Sequence, residues 1–72
     1  LAPENPRYLN DAALILQDYL KKDFARARQL YERALAAADA ILADTTRPQV
    51  VREAAADARK DASANLARLP NK

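Results

Sequence analysis

The sequence predicts an all-α fold, three antiparallel helices in a single domain of 72 residues. Three observations lead there. Glycine is absent, and about a quarter of the residues are alanine, the best helix former. The β-branched residues that favour strands are few and scattered: Ile15, Ile41, Thr45, Thr46, Val50 and Val51. Apolar residues recur at separations of three and four, the helical period.

The first helix is expected over residues 6–21. Asn5 can accept from the unpaired N–H groups of the first turn, and Pro6 loses nothing there because its position needs no donor. Two neighbouring apolar stripes run along it: Tyr8, Ala12, Ile15 and Tyr19, and beside them Leu9, Ala13, Leu16 and Leu20. Together they exceed one ordinary core face, which predicts a helix touching neighbours on two sides.

Lys21 and Lys22 supply positive charge at the negative end of that helix, and Asp23 supplies an acceptor for the next. A connection of about two residues forces an antiparallel hairpin. The second helix, over 23–44, should bury Phe24, Ala27, Tyr31, Ala34, Ala38 and Ile41, with Leu30, Leu35 and Leu42 widening the face. Thr46 and Gln49 have the spacing of a capping box, and Pro48 falls in a first turn that tolerates it. The third helix, over 47–68, carries the stripe Val51, Ala55, Ala58, Ala62, Leu66 and Leu69, and Pro70 stops it. Alanine at these positions lets helix backbones approach closely but buries little area.

Ala27, Tyr31 and Ala34 form an A-x3-Y-x2-A pattern on one face of the second helix. Tyr31 would fill the gap between the alanines and keep its hydroxyl at a wet edge. The pattern resembles the second helix of a tetratricopeptide repeat. Asp23-Phe24 resembles the pair that opens that helix, and Tyr31-Glu32-Arg33-Ala34-Leu35 resembles its Tyr-Glu-Lys-Ala-Leu run. Leu14 and Tyr19 fit the first helix of such a repeat, so the resemblance covers residues 8–41. Asp11, Ile15, Asp18 and Asp39 depart from it, standing where an aromatic, a small residue, an aromatic and a terminating proline are usual. One hairpin alone leaves a face open, and the third helix is placed to cap it.

The resemblance implies a noncatalytic protein-interaction or scaffold module, alone or as a fragment of a longer repeat protein. The implied partner is a protein or peptide, presented as an amphipathic helix or extended segment, or a second copy by self-association. The candidate lining is Leu9, Ala12, Leu16, Tyr19 and Leu20. If the third helix covers them, these residues are core instead. The alternative reading is a structural or designed minimal bundle with no ligand beyond itself.

Other chemistries find little here. With neither Cys nor His, the chain offers no disulfide and no zinc site, and no cofactor motif is visible. Glu53, Asp57 and Asp61 share a face, but opposite the apolar stripe, where water keeps a carboxylate ordinary, and Ser63 has no candidate base. The chain is therefore read as no enzyme. The net charge is only +2, and Arg26, Arg33, Arg52, Arg59, Lys60 and Arg68 are interleaved with acids, as in a solvated face paired at i,i+4. Nucleic acid is accordingly not favoured. No run is long and apolar enough to span a membrane, and no signal peptide is visible. A start at Leu1, without methionine, fits an excised fragment or a mature form.

Overall fold

The computed structural model describes residues 5–69. Helix α1, Pro6–Leu14, passes without a break into a π-wound segment, Ile15–Leu20; α2 spans Phe24–Ala43 and α3 spans Gln49–Ala67. The described residues contain no strand, so the all-α reading holds. Helix α2 packs extensively on both neighbours, whereas α1 and α3 share a smaller interface.

The start of α1 follows the sequence. The Asn5 side chain accepts from the amides of Arg7, at 2.9 Å, and Tyr8, at 3.3 Å, and Pro6 occupies the first helical position. The end of the first helix does not. Its last six residues wind with one extra residue per turn, and the Leu16 carbonyl accepts from the amides of both Lys21 and Lys22. The chain reverses through left-handed conformers at Lys21 (φ 53°) and Asp23 (φ 54°). Glycine normally takes such positions, and this chain has none to offer. Asp23 then caps α2 as expected, its carboxylate accepting from the Arg26 amide at 3.4 Å.

The boundary before α3 forms differently from the expected capping box. Thr46 directs its amide (3.0 Å) and its hydroxyl to the Asp44 carboxylate, and Gln49 turns forward to Glu53 at 2.8 Å. The Thr46 amide and hydroxyl thus turn back to the ionised Asp44 carboxylate, a strong acceptor, and the box does not form. Pro48 becomes the N-cap with no side-chain bond, and α3 begins at Gln49. The Thr46 hydroxyl and amide, with Arg47, hold the Asp44 carboxyl below its ordinary range, burial opposing them. Arg52 donates to the Leu42 carbonyl at 3.2 Å and so satisfies the end of α2. Pro70, the expected stop of the third helix, lies outside the described residues.

The core is a column of alanines with a few large residues at one end. Ala13, Ala27, Ala34, Ala38, Ala55, Ala58 and Ala62 are buried. Leu9, Leu30, Tyr31 and Leu69 join some of them in the main cluster, with Leu16, Phe24, Leu35 and Leu66 packed against it. Tyr31 is fully enclosed, which corrects the expected wet edge: its hydroxyl donates to Gln17 Oε1 at 2.6 Å. A second polar contact crosses from α1 to α3, where Asn65 Nδ2 donates to the buried Asn10 Oδ1 at 3.1 Å. At the other end, small side chains leave volume unfilled. A cleft of about 480 Å³ opens there among Pro6, Arg7, Ile41, Arg47, Val51 and Asp57.

Candidate functional site

The two stripes of the first helix part company in the structure. Leu9 and Ala13 are buried, Leu16 packs against the core, and Gln17 lies beside them, because α2 and α3 cover that side. The stripe one residue away faces out. Tyr8 is 75% exposed, Ile15 49% and Tyr19 82%, with Ala12 half-buried between them. Helix α1 thus touches two neighbours, α2 and α3, as its apolar width predicts, while the second stripe stays open.

The π winding adds a fourth apolar residue to the open face. In regular α geometry Leu20, seven residues after Ala13, would fall on the buried side. An extra residue per turn makes it lag, and it emerges 52% exposed. The same winding leaves Gln17 aimed inward, where the Tyr31 hydroxyl holds it. Of the five residues expected to line a partner face, then, Tyr19 and Leu20 lie outward, Ala12 and Leu16 are half-buried, and Leu9 is core. The structure does not bring the five together on one open surface. Tyr8 and Ile15 take the places of Leu9 and Leu16 beside Tyr19. Their sequence signal was Asp11 and Asp18, which flank this stripe and stand opposite Leu9 and Ala13.

Charges border the face unevenly. Asp11 lies three residues after Tyr8 and four before Ile15, on the stripe's edge, and makes no ion pair among the described residues. Asp18 stands seven residues on and meets Arg68 at 3.6 Å. Arg7 turns away to Asp61 of α3, at 2.8 Å. Lys21 and Lys22 follow at the far end. The i,i+4 pairing expected of the charged face is replaced by pairs that tie helices together: Arg7–Asp61, Arg68–Asp18, and Arg59–Asp39 at 2.6 Å.

Nothing described converges as catalytic groups do. Asp61 is engaged by Arg7, Glu53 accepts from Gln49, and Asp57 borders the cleft, so the three acids of α3 serve three different surroundings. Among the described residues no group of His, Cys, Asp and Glu could hold a metal ion, and no helix is long and apolar enough to cross a membrane. The cleft is lined by apolar side chains with Arg7, Arg47 and Asp57, and the two arginines are held by Asp61 and Asp44. No protein-family model, curated protein or solved structure matches the chain.

Proposed function

We propose that the protein is a noncatalytic interaction module, and that a protein or peptide docks on the outward stripe of the first helix. The observation that carries this reading is the open row Tyr8, Ile15, Tyr19 and Leu20, borne on a helix whose other face is fully used. Two exposed tyrosines in one row suit recognition, since tyrosine gives a large contact area at small entropic cost and keeps a polar tip. A π-wound turn beneath such a row is a further support, because these turns concentrate at functional sites. The tetratricopeptide-like part of the reading draws on Ala27, Tyr31 and Ala34, all fully buried between helices, as that packing requires.

The test separates binding from folding. Tyr19→Ala should alter unfolding stability by no more than about 0.5 kcal/mol, because the ring is exposed. Peptides selected by display against the intact chain should lose at least about tenfold in affinity for Tyr19→Ala or Ile15→Ala, as hot-spot residues do. Binders indifferent to both substitutions would sink the reading.

One observation favours the structural alternative, a bundle that meets only itself. The alanine-rich core is thin for a chain this short, and association would supplement it. Light scattering over a range of concentrations decides: a constant monomer mass argues against it, and a concentration-dependent dimer abolished by Tyr19→Ala supports it.

A further inference from the structure

Resting on the interaction reading, we infer that the occupant of this face is an amphipathic helix with Lys or Arg along one edge, held in a weak, exchanging complex. The face is helical in length and shape. Tyr8 to Tyr19 spans about three turns, or roughly 16 Å, with Tyr8, Ile15 and Tyr19 along one stripe and Leu20 beside its end. A second helix laid along that row would place its own apolar stripe on Tyr8, Ile15, Tyr19 and Leu20.

Charge selects among such helices. Asp11 sits at the edge of the row with no cation of its own among the described residues, and Asp18 is held by Arg68 only at 3.6 Å. A basic side chain on the partner's matching edge would pair with Asp11, and an acidic one would be repelled.

Charge also disfavours a second copy. In an antiparallel two-fold pairing the same edges face each other, so the two Asp11 carboxylates would share one edge. The same pairing sets Lys21 and Lys22 against the positive end of the opposite helix. Parallel pairing instead stacks the lysines on their own images and aligns the two helix dipoles. Area points the same way. With Tyr8 75%, Tyr19 82%, Leu20 52% and Ile15 49% exposed, the row offers roughly 500 Å². Two such surfaces bury about 1,000 Å², below the 1,200 Å² or so of a stable interface and far below an obligate dimer. That area fits a transient complex with a heterologous helix.

The experiment is a display selection of amphipathic helical peptides whose apolar face is held as leucine and alanine while the edge positions are randomised. Against the intact chain, Lys and Arg should be enriched on one edge. The best binders should bind Asp11→Asn about two- to fivefold more weakly at low salt, the difference vanishing at high salt. Circular dichroism of Asp11→Asn, an exposed position, controls for folding. Binders that need Tyr19 yet carry neutral or acidic edges, or that ignore Asp11→Asn, overturn the charge assignment and leave the interaction reading standing. Absence of any Tyr19-dependent binder overturns both. A dimer in light scattering that Tyr19→Ala abolishes makes the second copy the occupant and overturns the inference.

Discussion

Tyr31 and Gln17 show how much can rest on two side chains. The phenol is buried and the amide oxygen that receives its proton is nearly so, so each satisfies a group that could not reach water. Tyr31→Phe should cost about 1–3 kcal/mol, because it strands the Gln17 oxygen. Adding Gln17→Leu should recover much of that loss, since removing both partners leaves nothing unsatisfied. Denaturant unfolding of the two variants checks this, and a double variant worse than Tyr31→Phe would contradict it. Burial raises the Tyr31 pKa above its ordinary 10.0, Arg68 offsetting and Asp18 reinforcing the shift. The folded state therefore holds this proton more tightly than the unfolded chain does. Its contribution is complete below about pH 10 and declines as pH rises toward the folded value. Unfolding curves collected on either side of pH 10 should show stability falling on the alkaline side, and Tyr31→Phe should remove this part of the decline.

At the scale of elements, the reversal between the first two helices is the place where sequence and geometry disagree. Lys21 takes a left-handed conformation that costs a residue with a Cβ about 1–2 kcal/mol. Lys21→Gly should therefore stabilise the protein, by about 0.5–1 kcal/mol once glycine's greater freedom in the unfolded chain is counted. A thermal midpoint that falls instead would mean the lysine side chain stabilises the turn. Helix number, order and approximate limits were legible because alanine periodicity, Asn5-Pro6, Asp23 and Thr45–Gln49 mark them locally. The π winding was not, since a bond from residue i to i+5 leaves no compositional signature. Nor was the fate of Thr46, whose amide and hydroxyl both turn back to Asp44. The outward stripe was visible as one of two, both equally apolar. Only the position of Asp11 and Asp18 in the helical rotation marks which side water would see.

For the whole molecule, three ion pairs among the described residues join helices at distances of 2.6–3.6 Å, yet all their side chains are about half exposed. Such pairs contribute little in water, so Asp61→Asn and Asp39→Asn should each cost less than about 1 kcal/mol. Stability lies in the packed end instead. Leu30→Ala, in the main cluster, should cost about 2–5 kcal/mol. Denaturation of these three variants would reverse the assignment if the charge variants proved the more damaging. The described residues place the large core side chains at one end and small ones at the other, so the two ends differ in how firmly they hold. Local opening is then expected first around the cleft, where hydrogen exchange should be fastest among the helical amides.

The distribution of tyrosines has an optical consequence. The chain has no tryptophan and three tyrosines, two on the open row and one enclosed against Gln17. Intrinsic fluorescence therefore divides by location. Acrylamide can reach Tyr8 and Tyr19, so a docked partner should shield their emission from quenching. Tyr31, fixed in an asymmetric setting, should dominate the near-ultraviolet dichroism and fade only on unfolding. Occupancy and integrity can thus be followed separately in one cuvette, without a label.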